Sequence, residues 1–246
     1  MKLMERVAVV SGGGSGIGLA IARRLVQEGA TVVITGRRQA VLDEAVALLG
    51  SKASGIVADV SQAASLEALY AEVRRRFGRI DILVANAGGG DHAPLGQITE
   101  AQIDRQFSTN VKGVVLTLQG ALPLLAPGSS VVIVGSSASM DPGPTMSIYG
   151  GTKAAIRNMV RSWVAELKGT GIRINILSPG PTNTDSLRKA FGDHAEEGLA
   201  YLTAKSPLGR IGEPEEIAAA VAFLASDDAS YINGVELFAD GGASQS

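Results

Sequence analysis

The chain has no cysteine among its 246 residues. Disulfides, thiol nucleophiles and thiolate metal sites are thereby excluded, and a reducing, cytoplasmic compartment is expected. Histidine is nearly as scarce. His92 and His194 are the only two, too far apart in sequence to argue for a zinc site, so no metal is expected. Aromatic residues make up only 4 %, which leaves the core to Val, Ile, Leu and Ala. Charged residues are 19 %, below the usual quarter, so much of the chain is expected to be buried. The net charge is −2 with both signs interspersed, and no basic stripe points to nucleic acid. No apolar run reaches the roughly 18 residues that a membrane span needs. Met1–Arg6 carries no apolar signal-peptide core.

Glycine, by contrast, is abundant: 31 residues, about twice the usual share. The glycines follow no G-X-Y period, which excludes collagen. With 46 % hydrophobic residues the chain is not disordered either.

Short apolar runs alternate with helical patterns along the whole length. Predicted strands are Arg6–Val10, Thr31–Thr35, Gly55–Ala58, Ile80–Ala85, Ser130–Val134, Ile172–Leu177 and Val235–Phe238. Helical spacing occupies Gly16–Gln27, Ala40–Leu49, Ser65–Phe77, a long stretch within Thr99–Leu125, Ile148–Lys168 and Pro214–Ala225. The strands are continuously apolar, which suits parallel strands buried on both faces. The alternation predicts one α/β domain over residues 1–246, with a doubly wound sheet of about seven parallel strands. Residues 182–207 are the longest stretch without a predicted strand and are expected to form a lid over the substrate.

The first strand runs directly into Ser11, Gly12, Gly13, Gly14, Ser15, Gly16, Ile17 and Gly18, and then into the first helix. A sheet of this type binds a dinucleotide at that junction. Glycines let the backbone approach a pyrophosphate, and the free N–H groups of the helix terminus meet its charge. The second strand ends at Thr35, and Gly36, Arg37 and Arg38 follow. An NAD site usually places an acid near here for the ribose hydroxyls. Gly36 stands in its place, and a guanidinium suits a 2′-phosphate, so NADP(H) is expected over NAD(H). Ser15 can add a hydroxyl donor. The alternative for the two arginines is a solvated helix start.

Tyr149 and Lys153 lie four apart at the start of a predicted helix and share one face. An ammonium held beside a phenol favours the phenolate, which suits a group that exchanges a proton with an alcohol. On a bare helix surface, the same pair would be only a pair of exposed neighbours.

The spacing Gly12-x3-Gly16-x-Gly18, the chain length and the Tyr149-x3-Lys153 pair resemble the short-chain dehydrogenase/reductase family. The resemblance runs from residue 6 to about 242. It implies a Rossmann-like fold and reversible hydride transfer between a nicotinamide and a carbonyl or secondary alcohol. It also implies further roles. Asp59 and Val60 would meet the adenine, and Asn86, Ala87 and Gly88 the nucleotide. Ser136, thirteen residues before Tyr149, would orient the substrate, its neighbours Ser137 and Ser139 fitting the spacing less well. Asn110 would support a water beside the lysine, completing a proton relay. Pro179, Gly180 and Thr184 match the family's P-G-x-x-x-T, which binds the nicotinamide carboxamide. Thr182 departs from an aliphatic position, though its backbone can serve equally. A homotetramer is implied as well.

The expected substrate is a neutral, fairly apolar ketone or secondary alcohol. The runner-up activity is a 3-oxoacyl-[acyl-carrier-protein] reductase. Leu124–Ser130 is uncharged and Thr170 stands where that group carries arginine, but Lys168 and Arg173 are nearby. A protein of another class, an NADP-binding scaffold without chemistry, would usually lack one of Asn110, Ser136, Tyr149 and Lys153.

Overall fold

The computed structural model describes residues 1–244; the last two residues of the predicted domain lie outside the described residues. The chain opens with β1 (Val7–Ser11), α1 (Gly16–Gln27), β2 (Thr31–Gly36) and α2 (Gln39–Leu49). It continues through β3 (Ala53–Val57), α3 (Ala63–Phe77) and β4 (Ile80–Ala85). Next come α4 (Glu100–Phe107) and α5 (Gly113–Ala121), then β5 (Leu125–Val134) and α6 (Ser147–Glu166). The last third holds β6 (Arg173–Pro179), α7 (Asp185–Phe191), α8 (Ala195–Lys205), α9 (Pro214–Ala225) and β7 (Glu236–Ala239).

All seven strands are parallel, in the order β3-β2-β1-β4-β5-β6-β7. Their β-branched runs alternate between two cores. Val10, Ile34, Val132 and Val134 face a layer with α1, α2 and α9. Val9, Val33, Val131 and Ile133 face a layer with α3, α5 and α6. Burying a Val or Ile side chain in this way stabilises by about 1.5–3 kcal/mol. Burial on both faces is why these strands read as continuous apolar runs rather than alternating ones.

Local signals set several boundaries. Thr99 and Gln102 form a reciprocal capping box that starts α4, with Gln102 N donating to Thr99 Oγ1 at 3.2 Å. Glu213 and Glu216 form another ahead of α9, with Pro214 in its first turn. The stretch expected as one helix within Thr99–Leu125 is broken. A π-helical turn at Ser108–Lys112 separates α4 from α5, and Leu125 already belongs to β5. Such turns release backbone groups from the regular ladder and often mark functional positions. Most of residues 182–207, where neither strand nor helix is predicted, form α7 and α8. No helix of the described residues is long and apolar enough to cross a membrane.

Candidate active site

The sheet order reverses direction at β1, which has β2 on one side and β4 on the other. A crevice at the carboxyl ends of the strands follows from that topology. A cavity of about 850 Å³ occupies it, within the usual size for ligand sites.

One wall is the glycine turn between β1 and α1. Gly12 has φ +66°, a conformation that favours glycine. A Cβ at Gly18 would lie 2.1 Å from Gly12 O, so no other residue lets the helix start so close to the turn. Asn86 staples the turn, its Nδ2 donating to Ser11 O at 2.9 Å and to Gly12 O at 3.2 Å. Ser15 occupies the N-cap of α1 without capping it through its side chain. Its hydroxyl is left to a ligand.

Gly12, Gly14, Ser15, Gly16, Ile17 and Gly18 all line the cavity, and so do Asn86, Ala87 and Gly88. Ser11 does not. It is buried beneath the turn, where its Oγ accepts from Asn86 N at 3.0 Å and Ala87 N at 3.1 Å. The Ser11 hydroxyl thus serves the segment after β4, whose two consecutive amides both claim it.

Arg37 and Arg38 are exposed at the cavity edge, with Asp59 and Val60 nearby on its wall. Partial burial pushes the Asp59 carboxyl up, but hydrogen bonds from the Ser61 hydroxyl and amide outweigh it. With the charge of Arg37 adding to them, the group lies below its ordinary value. Thr35, also on the wall, has a buried hydroxyl with no hydrogen-bond partner in the structure. A glycine cradle, free hydroxyls, an orphaned Thr35 Oγ1 and two mouth arginines are a donor set that fits a phosphorylated dinucleotide.

The opposite wall carries Ser136, Tyr149, Lys153, Pro179, Gly180, Thr182 and Thr184. Ser136 lies two residues after β5 and caps a short 3₁₀ turn, its Oγ accepting from Ala138 N at 3.2 Å. Ser139 points elsewhere, donating to Glu236 Oε1 at 2.9 Å, which separates it from Ser136. Lys153 is buried and donates to Val134 O at 2.9 Å, with its Nζ 5.8 Å from the centre of the Tyr149 ring. Thr182 spends its hydroxyl proton on Gly180 O, whereas Thr184 accepts from Leu187 N as the cap of α7.

Asn110 lies in the π-helical turn, fully buried and behind the cavity wall. Its Nδ2 donates to Gly89 O at 2.8 Å and Thr152 Oγ1 at 3.0 Å, and its Oδ1 accepts from Gly89 N at 3.1 Å. Thr152 in turn donates to Tyr149 O at 2.7 Å. The side chain is thus committed to protein groups and fastens the Gly88–Gly90 loop to the helix carrying Tyr149. Sequence reading did not single out Thr152, Thr35 or the cavity residues Phe191, Tyr201 and Lys205. The spacing of Tyr201 and Lys205 on one helix face was the available signal; Lys205 Nζ lies 4.9 Å from the Tyr201 ring centre.

A doubly wound sheet with a glycine-lined crevice at its switch point defines a Rossmann-like nucleotide-binding fold. The chain belongs to the short-chain dehydrogenase/reductase family, whose members use nicotinamide cofactors. A family model described as enoyl-(acyl carrier protein) reductase matches residues 12–244. The chain is 46 % identical to the oxidoreductase asL5 of Sarocladium schorii, over 99 % of this chain and 98 % of that protein. It is 39 % identical to the short-chain dehydrogenase/reductase SDRA of Arabidopsis thaliana, over 98 % of this chain and 95 % of the relative. Among solved structures, levodione reductase superposes with a TM-score of 0.95 at 33 % identity, over 99 % of each chain.

Proposed function

We propose that the protein is an NADP(H)-dependent carbonyl reductase or alcohol dehydrogenase acting on a neutral, fairly apolar ketone or secondary alcohol. The observation that carries the reading is the meeting of Ser136, Tyr149 and Lys153 with the glycine turn around one cavity. The nicotinamide cofactor supplies or accepts the hydride. Arg37, Arg38 and Ser15 hold its 2′-phosphate end, and Asp59 and Val60 the adenine. Pro179, Gly180, Thr182 and Thr184 hold the carboxamide end.

Ser136 donates its hydroxyl proton to the substrate's carbonyl oxygen, which can only accept, while one of its lone pairs serves Ala138 N. Tyr149 delivers or takes the proton at that oxygen. Lys153 gives one of its three N–H donors to Val134 O and keeps two for the ribose and the tyrosine side. The α7–α8 segment covers the substrate end, where Leu187, Phe191 and Leu202 offer apolar surface.

Acyl-carrier-bound substrates fit less well. Arg173, one of two cations near the expected carrier surface, turns inward and donates to Ile232 O, Leu224 O and Ser226 O.

The test is Tyr149→Phe. NADPH binding is retained, and turnover on the best ketone of a panel falls by at least about 10²-fold, the scale of general-acid loss. Wild-type turnover refutes the assignment. Faster reduction of a carrier-bound 3-oxoacyl chain than of any soluble ketone moves the substrate class to the runner-up.

A further inference from the structure

Glu236 is the one acid set into β7, and its side chain retains only 10 % exposure. Its Oε1 accepts from Ser178 Oγ at 2.7 Å and from Ser139 Oγ at 2.9 Å. Its Oε2 faces Arg157 Nε at 2.5 Å, an ion pair rather than an aligned hydrogen bond. These three partners come from three different elements. Ser139 closes the 3₁₀ turn that Ser136 caps. Arg157 lies one turn beyond Lys153 on α6. Ser178 is fully buried at the end of β6, next to Pro179 and Gly180.

A carboxylate sunk this far is costly unless its oxygens are satisfied. An aliphatic residue would fill a strand position facing the core without that cost. The charge therefore serves geometry. Ser139 N donates to Ser136 O at 2.9 Å and Ala138 N to Ser136 Oγ at 3.2 Å, so the turn and the Ser136 side chain move together. Pulling Ser139 toward Glu236 sets the turn, and the Arg157 pair sets the turn against the helix that carries Tyr149 and Lys153.

We propose that Glu236 is a positioning residue that holds Ser136 in register with Tyr149 through Ser139 and Arg157. This rests on the catalytic roles given to Ser136 and Tyr149 above. Glu236 does not line the cavity; it acts through its three partners.

Two measurements test it. The first needs no substrate. Amide hydrogen exchange at Ala138, Ser139 and Met140 is followed by NMR in wild type, Glu236→Gln and the milder Ser139→Ala. Exchange about tenfold faster in both variants, with the exchange of the β1–α1 turn unchanged, is expected. Wild-type exchange in both variants overturns the proposal.

The second is a double-mutant cycle on turnover. Glu236→Gln lowers kcat about tenfold with unchanged NADPH affinity, and adds no further loss in a Ser136→Ala background. Full additivity overturns the proposal, because a general loss of stability does not depend on Ser136. If Ser136→Ala alone keeps wild-type turnover, the catalytic reading of Ser136 fails instead, and the exchange result still decides whether Glu236 orders the turn.

Discussion

A methyl group added at Gly90 tests the geometry of Tyr149 without touching its chemistry. A Cβ there would stand 2.6 Å from Tyr149 Cδ2, 2.8 Å from Cγ and 3.0 Å from Cβ. Ordinary carbon contacts are about 3.5–4.0 Å, so roughly 1 Å must be made up. The loop gives way poorly, because Gly89 is pinned to Asn110 through both its N–H and its carbonyl. A few residues on, Ala93 N donates to Thr145 O at 3.0 Å. The contact is with the root of the tyrosine side chain, so no flexible tip can swing aside. The ring therefore shifts relative to Lys153 and Ser136. A misplacement of about 1 Å at a reacting group costs on the order of 10²-fold in rate. Gly90→Ala is expected to lower kcat for NADPH-dependent ketone reduction by that factor, with the NADPH dissociation constant within about threefold of wild type. Initial rates at saturating cofactor and a fluorescence titration of NADPH measure the two. An unchanged kcat, or a loss confined to cofactor affinity, refutes the reasoning.

Arg37→Ala should lower kcat/KM for NADPH by roughly 10- to 150-fold, the span of a lost charge-assisted hydrogen bond, and leave NADH within about threefold; equal losses with both cofactors would remove the arginine from the 2′-phosphate. Tyr70→Phe should cost about 1 kcal/mol and lower Tm by about 2–4 °C, because the buried hydroxyl donates to Thr117 O at 2.7 Å; an unchanged melt refutes that bond. Asp59 lies below its ordinary carboxyl value of 3.8 in the folded state. The stability it contributes is present above that value and is lost as pH falls through the lower folded one. Asp59→Asn should therefore flatten the fall in Tm below about pH 4, and an acid limb as steep as in wild type counts against it.

The order of strands and helices was legible because the pattern is physical at each step. Parallel strands with two buried faces read as unbroken Val and Ile runs, and the glycine cluster sits where only a close backbone approach explains it. Boundaries were less legible. β5 begins five residues before the predicted Ser130, through Leu125, Ala126 and Pro127, which carry no strand signal of their own. Leu125 is drawn into the sheet by pairing with Ile80, and a register shift separates that pair from the next, Ile82 with Ser130. No helix is predicted in residues 182–207 because their polar composition hides the helical period of an exposed pair of helices. Only Leu199 of α8 is buried, and no residue of α7 is.

Ser11 and Asn110 show where residue type stops being informative. Both are polar, both lie at the expected motif positions, and both turn away from the cavity. A sequence motif fixes which donor and acceptor are present, whereas the partners that consume them come from elements 75 residues away for Ser11 with Asn86 and 42 for Asn110 with Thr152. Gly89 and Thr152 take both protons of the Asn110 amide and one lone pair of its oxygen, which leaves one acceptor site on Oδ1. The π-helical turn at Ser108–Lys112 is the local irregularity that carries this side chain. The asparagine ties that irregularity to the loop and helix on either side of the cavity.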